Sequence, residues 1–202
     1  MKWLKHGVVW KPSGTQWWAR SHATCPTPIW LDDQTLRVYL QCRDADNVGR
    51  IGFVDLDPAD PRKVLRVSQE PVFDIGAPGS FDDNGVFQTS VIRVPDGRLF
   101  MYYVGFELCH QIRYRLLTGL AISTDNGNTF HRAQATPVLE RSPDEQFFRC
   151  GPWVEHDGFW GALGARPKLG PHSSHHVRRE TVQQLQDVVV EQTLQLAARP
   201  CD

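Results

Sequence analysis

The chain repeats itself, and a repeat of this length allows few folds. TPIWLDDQTLRVYLQCRD, from Thr27, aligns with TSVIRVPDGRLFMYYVG, from Thr89. Each gives an apolar strand, a polar turn and a second strand, with Leu36/Tyr39 in the first copy at the places of Leu99/Tyr102 in the second. RIGFVDLD then parallels GLAISTD, and EPVFDIG parallels TPVLERS. A third copy opens at GPWVEHDGFW, from Gly151. Short alternating apolar runs broken by Gly, Pro and Asp read as strands. About four strands in each ~60-residue unit is the period of a four-stranded propeller blade with generous loops. The expectation is an all-β fold, a β-propeller of four-stranded blades over residues 1–160, with a sandwich as the alternative.

The repeat stops after Trp160. The third copy shows no second strand. A Gly/Pro/His linker follows, then Val182, Leu185, Val189 and Leu196 at helical spacing. Residues 161–202 are therefore expected to be a linker and a helical, non-propeller tail. A closed propeller needs at least four blades, so two and a fraction predict a truncated or frame-shifted product, or a ring that a partner completes. Open blade edges would favour self-association. His172, His175 and His176 in the tail have no Asp, Glu or Cys in step with them, which weighs against a metal site.

Composition narrows the partners. With 22 Lys+Arg against 23 Asp+Glu, no charge excess points to nucleic acid or a membrane surface. No apolar run approaches the ~18 residues of a membrane span. The five cysteines (25, 42, 109, 150 and 201) form no CxxC pair, so neither zinc nor another cofactor is expected. Free thiols and the absence of a signal-like N-terminus suggest the cytoplasm. Seven Trp, ten Phe and four Tyr suit β-sheets, and equally suit stacking on sugar rings.

STDNGNTF, Ser123 to Phe130, falls at the turn between the third and fourth strands of the second unit. Asp125 and Asn126 favour a turn through side-chain bonds to nearby backbone, and Gly127 permits positive φ. Ser123 and Thr129 are placed to bond across the hairpin, and Phe130 to pack between sheets. The offsets do not fit a calcium-binding EF-hand loop. The stretch resembles the Asp-box of sialidases and other β-propellers, which implies a structural blade turn. The first unit has VDLDPADP at this place, so the box is not repeated.

In a propeller the innermost strand of each blade lines the axis, so chemistry belongs just before and at its start. The candidates fall in 21–27, 81–90 and 145–152. Asp83 and Glu145 stand one repeat apart, both seven residues ahead of the strand starts expected at Ser90 and Pro152. Two carboxylates on adjacent blades suit acid/base work on a glycosidic bond. Asp82, Asp83 and Asn84 also suit a plain polar turn. Arg149 is placed to clamp an anionic substrate group or to neutralise Glu145. Gln88 is placed to bond a sugar hydroxyl or to cap its strand. Trp17 and Trp18 either stack on sugar or fill the core.

GSFDDNGV, TSVIRVPDGRLFMYYVG and GLAISTDNGNTF together resemble the five-bladed propeller glycoside hydrolase superfamily of arabinanases, β-xylosidases, invertases and levansucrases, over about residues 20–160. That resemblance implies a carbohydrate or glycoconjugate substrate, Asp83 as a supporting carboxylate and Glu145 as the general acid; Asp82, Gln88, Arg149 and Trp18 are the candidates for contacts to the substrate. The first blade departs from the pattern. ARSHATCPTP has Ser21 and His22 where a carboxylate base is expected. Either His22 serves as base, or Asp32 or Asp44 does, or the chain binds glycans without cleaving them. A sialidase-like site built on Arg43, Arg113 and Arg149 is a weaker alternative, since these three share no repeat position.

Overall fold

The computed structural model describes residues 7–139, together with the backbone of three short strands at 148–149, 153–156 and 159–162. Every regular element among the described residues is a strand. The first sheet has the order β1 (Ser21–Asp32), β2 (Thr35–Arg43), β3 (Gly49–Leu56), β4 (Val64–Val67), and all its neighbours are antiparallel. The second repeats this plan with β5 (Val86–Arg93), β6 (Leu99–Leu108), β7 (Tyr114–Ser123) and β8 (His131–Arg132). β9 (Phe148–Arg149) adds to β7 in parallel, and β10 (Trp153–His156) pairs with β11 (Phe159–Ala162).

The turns follow from local chemistry. Asp32 Oδ1 accepts the Gln34 amide at 2.8 Å and closes the β1–β2 connection. Asp96 does the same for Arg98 at 3.1 Å between β5 and β6, where Gly97 takes φ 90°.

Three apolar layers hold the sheets. One lies against the first sheet, with Trp18, Leu40, Cys42, Val54 and Leu56. The second lies between the sheets, with Tyr39, Ile51, Phe53, Leu99, Met101, Tyr103 and Phe130 among others. The third covers the far face of the second sheet, with Phe100, Tyr102, Leu120 and Leu139. The repeat is legible in how these layers are filled. Leu36 packs into the first layer and Leu99 into the second, while Tyr39 belongs to the second and Tyr102 to the third. In each unit the Leu therefore faces backward and the Tyr forward, because one sequence offset on a period-2 strand selects one face.

Three expectations change. The inner strand of the second unit begins at Val86 rather than Ser90, and that of the first begins at Ser21. The third unit does have a second strand: β11 pairs with β10 from Trp153↔Ala162 to His156↔Phe159. The tail expected to be helical lies outside the described residues. No helix among the described residues is long and apolar enough to cross a membrane.

Candidate functional site

The N-terminal ends of the inner strands meet. β1 packs on β5, and β10 also touches β5. Gln88 donates from Nε2 to the Cys25 carbonyl, and Gln41 donates to the Val86 carbonyl at 3.0 Å while accepting the Thr24 hydroxyl at 2.9 Å. Gln41, Gln88 and Thr24 thus tie the start of β1 to the start of β5, and this junction defines one end of the two sheets.

β1 is irregular at this end. Its pairing with β2 shifts between Ser21 and Thr24 and again between Thr24 and Thr27. His22 and Cys25 carry φ of 63° and 54°, in the left-handed region that side chains with a Cβ rarely occupy. His22 is exposed, and its Nδ1 lies 2.8 Å from Ser21 Oγ. The surrounding protein holds the Cys25 thiol above its ordinary value, partly offset by a hydrogen bond from Thr24.

The two adjacent aspartates have different places. Asp83 stands three residues ahead of β5, half-buried, with Oδ2 accepting the Gly79 amide at 2.8 Å. Asp82 is fully buried. Its Oδ2 accepts the Tyr103 hydroxyl at 2.9 Å and Arg132 Nε at 2.8 Å, and its Oδ1 accepts the Ser80 hydroxyl at 2.8 Å. Asp82, expected from its position to bind substrate, is engaged with partners inside the protein. Burial, followed by the Asp82 charge, pushes the Tyr103 phenol far up, so it stays a donor; Arg132 offsets this in part.

Trp18 takes the core place of its two expected readings. Its ring is fully buried in the first sheet's core, with Nε1 donating to the Gln69 carbonyl at 2.9 Å, so neither face is free to stack on sugar. Trp17 is the open one of the pair, 46% exposed, bonded to Glu70 at 2.7 Å and covered on one side by Arg50. Gln88 is fully buried as an inter-strand tie. Phe87, Phe106 and Tyr114 form a half-buried aromatic cluster at the same end of the second sheet, with centroids 5.7 and 5.4 Å apart.

Arg149 lies in β9 with its backbone beside Leu117, which brings the third unit's start to the flank of the second sheet. Glu145 lies outside the described residues. Of the three arginines, Arg43 ends β2 and donates to Asn47 at 2.9 Å, and Arg113 precedes β7. No cluster of His, Cys, Asp and Glu among the described residues suits a metal ion.

Sequence reasoning missed Arg132 and Tyr103. Arg132 carries no local motif, being placed only by the tertiary pairing of β8 with β7. Tyr103 sits in the Tyr-Tyr strand, but only the sheet register tells which of the two faces Asp82.

No family model matches the chain. It is 39% identical over 158 residues to uncharacterised protein Rv1502 of Mycobacterium tuberculosis strain H37Rv, and equally to uncharacterised protein MT1551 of strain CDC 1551. The match covers 78% of this chain and 52% of either relative, so the chain spans about half the length of the curated relatives it matches. Among solved structures it is similar to Zg3597, a family 117 glycoside hydrolase produced by the marine bacterium Zobellia galactanivorans (TM-score 0.62, 15% identity, 83% of this chain and 45% of that one). It is also similar to a glycosyl hydrolase from Bacteroides ovatus (TM-score 0.51, 16% identity, 68% and 40% covered). At these identities the likeness is one of fold, and it supports the β-propeller class.

Proposed function

We propose that the chain belongs to a carbohydrate-active propeller that acts on a glycosidic bond at the junction of its inner strands. The observation that supports this reading is the tie between β1 and β5 near their N-terminal ends, from Gln88 to the Cys25 carbonyl and from Gln41 to the Val86 carbonyl, the strand-start region to which His22 and Asp83 belong in the sequence. The fold is shared with glycoside hydrolases, and a carboxylate offered from one blade toward another suits acid/base chemistry on an acetal. Asp83 would act as the supporting carboxylate, Glu145 as the general acid and Arg149 as a clamp on the substrate. His22, bonded to Ser21, would act as the base.

The test is turnover by the full chain of a panel of 4-nitrophenyl glycosides and of arabinan, xylan and fructan oligosaccharides. Asp83→Asn and Glu145→Gln should each cost at least about 100-fold in kcat/KM, with unchanged circular dichroism. Undiminished turnover in both variants would remove the assignment.

A second reading is favoured by one feature: the start of β1 offers Ser21 and His22 and no carboxylate. In that case the same junction binds a glycan without cleaving it. Retention on a glycan array with no product released would select this reading.

A further inference from the structure

We propose that Asp82, Tyr103 and Arg132 form a buried brace that positions Asp83, an inference that rests on the site proposed above. The turn before β5 has little regular structure of its own. Its hydrogen bonds run from the Ser80 amide to the Ala77 carbonyl at 3.0 Å, from the Asp83 amide to the Ser80 carbonyl at 3.3 Å and from the Gly79 amide to Asp83 Oδ2 at 2.8 Å. It is fixed from beneath by the side chain one residue before Asp83. Asp82 reaches β6 through the Tyr103 hydroxyl and β8 through Arg132, whose second nitrogen donates to the Asp74 carbonyl at 2.7 Å. The Asp82 amide unit is also held, its carbonyl accepting the Gly76 amide at 3.1 Å.

The surroundings are cut to fit this group. A Cβ on Gly76 would stand 2.1 Å from Asp82 Oδ1, one on Gly105 would stand 2.5 Å from Asp82 Cβ, and one on Gly119 would stand 2.3 Å from Tyr103 Cζ. Three glycines from three segments thus leave room for one carboxylate–phenol pair. The buried carboxylate is compensated by one guanidinium and two hydroxyl donors, which makes it rigid. Consecutive residues share a backbone, so fixing Asp82 in this cradle fixes the direction in which Asp83 leaves it. Asp82 and its partners touch no substrate; they act through Asp83. Misplacement by about 1 Å of a reacting group is enough to lower a rate substantially.

The experiment is a double-mutant cycle in the full chain, using as probe whichever 4-nitrophenyl glycoside of the panel the parent hydrolyses fastest. Tyr103→Phe keeps the ring in the core and removes one donor from Asp82. It should lower kcat at least about 10-fold with KM within about 2-fold, and in combination with Asp83→Asn it should add less than about 2-fold to the loss from Asp83→Asn alone. A merely structural role would lower only the folded fraction, so that its loss multiplies that of Asp83→Asn in total activity while kcat per folded molecule stays unchanged. That outcome, or full kcat in a folded Tyr103→Phe, overturns the brace. Should Tyr103→Phe fail to fold, Arg132→Lys keeps the charge, changes the donor geometry and is read in the same way. An inactive Asp83→Asn beside a normal Tyr103→Phe sinks the brace alone. A fully active Asp83→Asn, or a parent that cleaves nothing on the panel, sinks the site and the brace together.

Discussion

Arg37 of β2 and Asp55 of β3 are directly paired across the first sheet and joined by two parallel hydrogen bonds, Nε to Oδ1 at 2.7 Å and the terminal nitrogen to Oδ2 at 2.9 Å. Their side chains are 1% and 6% exposed. The remaining nitrogen of Arg37 donates to the Gly127 carbonyl at 3.0 Å, in the turn that joins β7 to β8 of the other sheet. The guanidinium also lies 3.6 Å from the centre of the Phe53 ring. One buried charge pair therefore docks the Ser123–Phe130 turn onto the neighbouring sheet.

Removing one partner of such a pair leaves the other charged and buried. Arg37→Met is expected to lower unfolding free energy by about 3–5 kcal/mol. Arg37→Met combined with Asp55→Leu should cost less than Arg37→Met alone, because it also removes the buried carboxylate that would keep only the half-exposed Arg66, 3.2 Å away, as a partner. Urea titrations of the three proteins read this directly. A loss below about 1 kcal/mol in Arg37→Met would show that the pair does not hold the sheets.

Gly127 and Gly97 both have positive φ, 80° and 90°, yet they should respond differently to Ala. At Gly97 an added Cβ meets nothing within 4 Å, so Gly97→Ala should cost only the backbone strain, about 1 kcal/mol. At Gly127 it would stand 1.9 Å from the Tyr39 hydroxyl, which donates to the Gly127 carbonyl at 2.9 Å, and 2.8 Å from Leu99. Gly127→Ala should cost clearly more, about 2 kcal/mol or above, through overpacking added to strain. Equal melting shifts in the two variants would contradict this.

The repeat carried much of the fold, because alternation and turn chemistry act within a few residues. It paired Leu36 with Leu99 and Tyr39 with Tyr102, and each pair occupies equivalent layers in the structure. It placed Phe130 between the sheets, where its ring sits edge-on to Tyr39 at 5.6 Å. The bonding of the turn differed: Ser123 and Thr129 both reach Asp125, at 2.7 Å each, instead of bonding across the hairpin. The site was less legible. Asp82 and Asp83 are chemically alike and adjacent, and only their tertiary neighbours separate a braced carboxylate from an open one. Trp17 and Trp18 pose the same problem: they are neighbours in the turn closed by the Ala19 amide on the Gln16 carbonyl, where no strand or helix period says which ring is core.

Cysteine reactivity should separate by burial. Cys42 is fully buried in the first sheet's core, and desolvation pushes its thiol up to about 12. Almost no thiolate forms at pH 8, and the sulfur is covered as well. In the native chain, iodoacetamide at pH 8 should leave Cys42 unmodified while labelling the exposed Cys25 slowly. In urea both should react at similar rates. Peptide mass spectrometry resolves the sites, and native labelling of Cys42 at the urea rate would mean that this core opens readily.

Acid should loosen the Ser123–Phe130 turn through Asp125. Its partial burial pulls the carboxyl upward, but the donors win: the Thr129 amide at 3.0 Å, the Ser123 and Thr129 hydroxyls at 2.7 Å each, and the Asn128 amide at 2.9 Å. The net result is a value below the ordinary 3.8. A carboxyl lowered on folding stabilises the native state at pH above its unfolded value, and that contribution disappears as pH falls through the lower folded value. The loss therefore falls below about pH 4. Asp125→Asn keeps the side-chain shape, removes the charge and turns one acceptor into a donor facing Thr129. It should be less stable than the parent at pH 6, and the gap between the two proteins should narrow at pH 3. Urea midpoints at the two pH values measure it. A gap that stays constant would mean that the turn is held by its backbone geometry and not by the Asp125 charge.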